Sequence, residues 1–146
     1  YWPVGWLIRD TLIHQQTYDE ALNRLQTEKL MAPAYYILGG LYYPSGAVIT
    51  RNQTDSIKLW TIDNTTNYLS WYVVETNYDW WTPAPTSDDR RDYAIQYMDE
   101  YGQNEINSTN LYNVLSQTPV LDNQTIVTVI MSASNSSLYY NMIRPA

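Results

Sequence analysis

The side chains best suited to chemistry in this sequence lie in two short stretches of its second half. The stretch VETNYDWW contains Asn77 and Asp79, and the stretch DDRR follows it and contains Arg90. Together they supply an amide, carboxylates and guanidinium groups, which can donate and accept hydrogen bonds and carry both charges. In the structural alternative, Asp79 caps a turn, the paired aspartates complement a helix dipole, and the arginines pair with surface acids. The spacing alone leaves both interpretations open.

Several familiar catalytic centres are excluded within these residues. The sequence has no nucleophile-elbow, P-loop, dinucleotide-binding or zinc-protease motif. It also has no Cys and a single histidine, His14, so it offers no disulfide framework, no cysteine nucleophile and no His-rich metal site. We therefore predict neither a metal nor a cofactor, and we place His14 at the surface or at a helix end.

Two helices are predicted at the start of the chain. Residues 1–12 form an apolar stripe entered through Pro3, which suits the beginning of a helix. Thr17-Tyr18-Asp19-Glu20 is a capping box that starts a second helix, and Pro33 prevents its continuation beyond about residue 31.

Four strands follow, and the last of them leads into the first polar stretch. The apolar pattern changes to a period of two, and polar turns separate the runs at 34–38, 47–51, 57–62 and 68–76. Short polar links between consecutive strands predict an antiparallel meander of four, with 68–76 as its longest strand. The polar residues 63–67 form the last turn of that meander.

A stiff proline loop separates this sheet from a second set of helices. The paired aspartates of DDRR suit the first turn of a helix that stops at Gly102. Its predicted inward residues are Tyr93, Ala94, Tyr97, Met98 and Tyr101.

The chain then closes with a short helix and a hairpin. The helix is predicted over about 108–116, and the hairpin strands over 125–132 and 138–143. The order of helices, sheet, helices and sheet predicts an α+β fold with helices layered on antiparallel sheets.

Length and composition favour one folded domain over 1–146. The chain has 146 residues, 45% of them hydrophobic, which suffices for a single core. Its net charge of −7 argues against a nucleic-acid partner, which requires a basic patch. No apolar run approaches the ~20 residues of a transmembrane helix. Because the chain starts with Tyr1 and has no signal peptide, we expect that it was processed or is part of a longer protein.

Five N-x-[ST] sequons predict a glycosylated protein of the secretory pathway. They start at Asn52, Asn64, Asn107, Asn123 and Asn135. Four of the five lie in or beside predicted turns, where a glycan can be carried. A secreted, lysosomal or cell-surface location follows from this placement.

The sequence resembles the acid ceramidase and N-acylethanolamine acid amidase family over nearly the whole chain. The similar blocks, in order, are GWLIRDTL, APAYYILGG, AVITRN, WYVVETNYD, DDRR, NVLSQTPV and TIVTVIMSA. TPAP and VIMSA look closer to the N-acylethanolamine acid amidases, and APAYYILGG looks closer to the ceramidases. The absence of Cys near the C-terminus leans away from the ceramidases, so the choice between these lipid amides stays open.

The resemblance implies the C-terminal part of the larger subunit of an N-terminal-nucleophile hydrolase. Such an enzyme has an αββα sandwich and forms by self-cleavage of a precursor, with a smaller subunit from the same precursor as partner. Its nucleophile is an N-terminal Cys, which lies upstream of Tyr1. That thiolate attacks the amide of a lipid drawn from a membrane or micelle surface, and an acyl-enzyme is then hydrolysed.

The family's motif carries two residues over to this chain. Asn77 would donate its side-chain amide to the oxyanion, and Arg90 would hold the region of the nucleophile in place electrostatically. Asp79 is a supporting candidate beside them.

Two alternatives remain open at this point. The chain could belong to a non-catalytic extracellular or structural glycoprotein that retains the fold and has lost the nucleophile. It could also belong to a wider group of choloylglycine-hydrolase-like amidases acting on bacterial substrates, which fits the sequons poorly. An N-terminal Cys in the upstream segment distinguishes the enzyme from the scaffold.

Overall fold

A computed structural model describes residues 1–62 and 71–144 of the protein. Their contacts divide the chain into two compact units, Tyr1–Val73 and Val74–Ala146. The single domain over 1–146 stays a prediction, and each unit is described by itself below.

The first unit begins with the two predicted helices. Helix α1 covers Val4–His14 and follows Pro3 directly, and helix α2 covers Tyr18–Thr27. The capping box is formed, because the Glu20 amide donates to the Thr17 hydroxyl at 3.2 Å and the Thr17 amide donates to the Glu20 carboxylate at 3.1 Å. His14 lies exposed in the last turn of α1, at the helix end where it was predicted.

A three-stranded antiparallel sheet packs against these helices. Its strands are β1 (Ala34–Gly39), β2 (Gly46–Arg51) and β3 (Ser56–Thr61), in the order β1-β2-β3. Every residue of the central strand β2 is buried. The core of the unit consists of Leu7, Leu25, Leu30, Tyr36 and Ile49. Helix and sheet residues thus share one apolar core, as an α+β layer requires.

The fourth strand of the predicted meander is not formed over 71–76. In the part of the chain that the structure describes, those residues lie in bends and irregular structure, while 63–70 fall outside it. The rings of Trp71 and Tyr72 meet edge to face with their centroids 4.8 Å apart. Consecutive side chains of a strand point to opposite faces, so this contact requires a bent backbone.

The second unit contains two helices. Helix α3 covers Arg90–Tyr101 and ends at Gly102, whose φ of 74° favours glycine. Ala94 and Met98 are buried as predicted, but Tyr93 is 39% exposed and Arg91 occupies the remaining buried position of the helix. Helix α4 covers Ser108–Val114.

A hairpin completes the second unit. Its strands are β4 (Val127–Met131) and β5 (Tyr139–Ile143), paired antiparallel, and α4 packs on β4. The predicted hairpin is therefore confirmed. Helices lie on an antiparallel sheet in both units, which is the predicted α+β class. Among the residues described, no helix combines the length and the apolar character needed to cross a membrane.

Candidate active site

The structure brings together the two residues that the sequence singled out. Asn77 lies in the loop before α3, and Arg90 is the first residue of that helix. Arg90 Nη2 donates a hydrogen bond to Asn77 Oδ1 at 2.5 Å across thirteen residues of sequence. A guanidinium group can only donate, so it binds the oxygen end of the amide and directs the Asn77 NH₂ group away from itself.

Arg90 is itself held by a carboxylate. Its Nε and Nη2 donate to the two carboxylate oxygens of Asp88 at 2.7 and 2.9 Å, a bidentate arrangement that fixes the plane of the guanidinium group. The hydrogen bonds from Arg90 lower the pKa of Asp88, and the same contact raises the pKa of Arg90. Asp88 lies outside α3, and Asp89 occupies the N-cap position without a side-chain capping bond. The predicted surface pairing is therefore confirmed for Arg90, and it coexists with the Asn77 contact.

Asn77 and Arg90 open onto a polar groove of about 470 Å³ in the second unit. The loop after α4 forms its other wall. Lining residues are Asn77, Ser87, Asp88, Asp89, Arg90, Pro119, Asp122, Gln124 and Thr125. Asp122 contributes a second negative charge that raises the pKa of Arg90. A reacting group in this groove would meet an oriented amide N–H beside a paired guanidinium.

Asp79 takes part through its main chain. Its carbonyl oxygen accepts from the Thr82 amide at 3.0 Å, from the Thr82 hydroxyl at 2.7 Å and from Arg91 Nη1 at 3.1 Å. It therefore closes the turn after Asn77, in agreement with the structural interpretation of this residue.

Sequence reasoning missed Arg91. This side chain is only 6% exposed and donates to main-chain carbonyls on the loop that carries Asn77. A signal was available, because Ala94 and Met98 follow Arg91 by three and seven positions and so share its face of the helix. The prediction that both arginines pair with surface acids did not use this spacing.

Glu75 adds an unusual carboxylate close to this loop. One of its oxygens accepts from the Thr76 amide at 2.9 Å, and the other is buried without a hydrogen-bond partner among the described residues. Burial raises the pKa of Glu75, the charge of Arg91 opposes this shift, and the charge of Asp79 adds to it. The loop thus carries a carboxyl group that stays protonated to higher pH than usual.

The groove contains donors for a developing negative charge and lacks a nucleophilic thiol, since the sequence has no Cys. Within the described ranges, no three His, Asp or Glu side chains are grouped to hold a metal ion. The arrangement is therefore suited to the stabilising half of an acyl-transfer reaction.

Four of the five sequon asparagines lie within the described residues. Asn107, Asn123 and Asn135 are exposed and Asn52 is half-buried, whereas Asn64 falls outside the described ranges. At three of these sites, the asparagine Oδ1 accepts the backbone N–H two residues later, at 2.8–3.1 Å. A glycan attaches to the side-chain nitrogen, which takes no part in this contact; at Asn107 that nitrogen donates instead to the Glu105 carbonyl at 3.2 Å. Glycosylation stays a prediction.

Comparison with curated proteins shows homology along almost the whole chain. The N-acylethanolamine-hydrolyzing acid amidase of Oryctolagus cuniculus is 42% identical over 97% of the chain. The acid ceramidase of Bos taurus is 38% identical over 90%. The chain spans 39% of the length of the first relative and 33% of the second. No protein-family model matches it.

A solved structure supports the same relationship at the level of the fold. The Caenorhabditis elegans ortholog of N-acylethanolamine-hydrolyzing acid amidase has a TM-score of 0.81 and 33% identity to this chain. The match covers 95% of this chain and 60% of that one.

Proposed function

Because the chain is a homologue of the N-acylethanolamine-hydrolyzing acid amidases and the acid ceramidases, we propose that it is part of an enzyme that hydrolyses the amide bond of a lipid. The observation that carries this proposal is the 2.5 Å contact from Arg90 to the Asn77 oxygen. It occupies the oxygen of the amide and leaves the NH₂ group as the donor, and an N–H donor held in place is what an oxyanion requires.

The reaction needs a nucleophile from outside these 146 residues, and we propose the N-terminal Cys of the larger subunit. Its sulfur bonds to the amide carbonyl carbon, and its proton passes to the free α-amino group. The carbonyl oxygen becomes the oxyanion, which accepts from Asn77. The C–N bond then breaks, and the leaving amine takes the proton from the α-ammonium group. Water hydrolyses the thioester, which releases the fatty acid and restores the thiol.

Arg90 acts on both the oxyanion donor and the region of the nucleophile. Its contact with Asn77 sets the oxyanion donor, and its charge, held in place by Asp88, faces the groove where the nucleophile would lie. Asp79 supports the turn between them through its carbonyl oxygen.

Substrate, partner and location belong to the same proposal. We infer an N-acylethanolamine or a ceramide as the lipid amide, taken from a membrane or micelle surface. The smaller subunit of the same precursor would be the partner. A lysosomal or secreted location agrees with the sequons and with the acid amidases and acid ceramidases among the relatives.

The alternative is a non-catalytic glycoprotein that retains the amidase fold. It is favoured only if the natural protein lacks the N-terminal Cys, because without a nucleophile no oxyanion forms for Asn77 and Arg90 to stabilise.

The deciding experiment is mass spectrometry and N-terminal sequencing of the natural protein, denatured and deglycosylated, followed by assay of a fluorogenic N-acyl amide. We expect a larger subunit that begins with Cys and contains these residues. Asn77→Ala should then lower kcat by about 10²–10³, the usual cost of one oxyanion donor.

The matched control is Asn104→Ala, which removes an exposed loop asparagine and should leave the rate unchanged. A mature chain without the Cys would refute the enzyme and leave the scaffold. Full activity of Asn77→Ala would refute the role of Asn77.

A further inference from the structure

Arg91 is a buried cation whose hydrogen bonds go to main-chain atoms. Its side chain is 6% exposed, and its Nη1 and Nη2 donate to the carbonyl oxygens of Asp79 at 3.1 Å and Thr82 at 2.5 Å. The neighbouring carboxylate of Asp92 lies 3.8 Å from Nε and is mostly exposed. Burial of a charge is costly unless hydrogen bonds compensate for it, so the two carbonyls are its principal compensation.

The same guanidinium group stacks on the residue that follows Asn77. The carbon at the centre of the Arg91 guanidinium lies 4.5 Å from the centroid of the Tyr78 ring. Arg91 therefore contacts the loop at three successive points, at Tyr78, Asp79 and Thr82. Hydrogen bonds from Thr82 back to the Asp79 carbonyl close the same loop.

Adjacent residues of a helix point in directions about 100° apart. Arg90 therefore reaches the Asn77 side chain at the groove, while Arg91 reaches the buried backbone of the same loop. One arginine sets the orientation of the amide, and the other sets the position of the chain from which that amide projects.

We propose that Arg91 is a positioning residue for Asn77: by binding the Asp79 and Thr82 carbonyls and the Tyr78 ring, it holds the oxyanion donor at the distance that the reaction needs. This rests on the proposed function of Asn77. A displacement of about 1 Å in a catalytic group can cost roughly 100-fold in rate, so a loop held at three points has a direct kinetic consequence.

Lysine is the informative replacement. Arg91→Lys keeps the charge and much of the buried aliphatic volume, but its single ammonium group cannot donate to both carbonyls with a planar fork while stacking on Tyr78. In the complete natural protein, we expect kcat to fall about 10–100-fold while KM changes less than about threefold. The exposed Arg9→Lys is the matched control and should change neither.

A double-mutant cycle separates positioning from general stability. If Arg91 acts through Asn77, Arg91→Lys should lower the residual rate of Asn77→Ala by less than about twofold, measured at high enzyme concentration. An equal loss in both backgrounds, or an unchanged kcat in Arg91→Lys alone, would overturn the proposal.

Amide hydrogen exchange keeps the test independent of activity. Residues 77–82 should exchange faster in Arg91→Lys, while α4 and the β4–β5 hairpin keep their wild-type protection. If the wild type hydrolyses no N-acyl amide, the proposed function fails, and the exchange result alone decides whether Arg91 holds the loop. Unchanged exchange in 77–82 would show that it does not.

Discussion

Arg51 in the first unit and Arg91 in the second are both buried arginines that donate to main-chain carbonyls, and they differ in what those carbonyls belong to. Arg51 is 1% exposed and donates to Leu25 and Glu28 at the end of α2, and to Asp55 in the turn after its own strand. Arg91 is 6% exposed and donates to a loop that adjoins the candidate active site.

The same kind of contact thus serves different purposes according to its surroundings. The last carbonyls of a helix have no partner within the helix, and Arg51 supplies one for α2. The carbonyls bound by Arg91 belong to an irregular loop with Asn77 at its edge. We therefore expect changes at Arg51 to affect mainly stability, and changes at Arg91 and its neighbours to affect mainly activity.

The largest effect on stability should come from Arg51→Met. The replacement fills much of the same space but leaves the carbonyls of Leu25 and Glu28 without this donor, whereas the Asp55 carbonyl keeps the Asn52 amide as a donor. Each buried group left unpaired costs ~1–3 kcal/mol, so we expect a loss of about 3 kcal/mol or more in the free energy of unfolding. Denaturant unfolding followed by tryptophan fluorescence measures this loss.

Arg9→Met provides the control, because Arg9 is exposed on α1. If Arg51→Met lowers the free energy of unfolding no more than the control does, Arg51 does not support the fold.

Arg90→Lys should reverse the pattern, with a large effect on activity and a small one on stability. The Arg90 side chain is 30% exposed, and partly exposed ion pairs contribute ~1 kcal/mol or less. Lysine cannot bind both Asp88 oxygens and Asn77 in one plane. We expect roughly a tenfold or greater loss of kcat in the complete enzyme, with an almost unchanged unfolding midpoint.

Asp88→Asn tests which contact matters. It keeps an oxygen acceptor for Arg90 but removes the charge, so it should lower kcat less than Arg90→Lys does. Full activity of Arg90→Lys would show that the orientation of Asn77 does not depend on the guanidinium group.

Most of the secondary structure could be predicted from the sequence because its signals are local. Pro3 and the Thr17 capping box mark helix starts, Gly102 marks a helix end, and polar turns separate the strands. The strand predicted over 68–76 is wrong at 71–76, since alternation in the sequence could not reveal that the rings of Trp71 and Tyr72 meet edge to face.

The candidate site was only partly predictable for a related reason. Asn77 and Arg90 were identified from their motifs, and the structure places them in contact. The burial of Arg51 and Arg91 depends on carbonyls 26 and 12 residues away in sequence. Arginine is usually exposed, so only the three-dimensional fold shows that these two are not.

Thr17→Ala changes the N-terminal end of α2 and should have a moderate effect on stability. An exposed capping box holds the N-terminal end of α2, and buried Arg51 holds its C-terminal end. Loss of an N-cap hydroxyl costs ~1 kcal/mol, so we expect about a third of the loss at Arg51. Thr17→Ser keeps the hydroxyl and should restore the stability, and a loss that equals that of Arg51→Met would contradict the ranking.

The smallest effect should appear at Glu75, where the sign with pH is the test. Burial raises the pKa of Glu75 above its ordinary value of 4.5. As the pH rises through the ordinary pKa of a glutamate, the unfolded chain releases its proton before the folded protein does. The contribution of Glu75 to stability is therefore present at low pH and is lost at higher pH. Glu75→Gln is neutral in both states, so it should match the wild type near pH 4 and become the more stable protein toward pH 7, by under about 1 kcal/mol for a half-buried group.

Unfolding midpoints between pH 4 and pH 7 measure the difference, with exposed Glu105→Gln as the control for loss of a charge. A difference that shrinks as the pH rises would mean that Glu75 is held ionised in the folded protein, with Arg91 as its partner, and Arg91 would then resemble Arg51 less than its hydrogen bonds to carbonyls suggest.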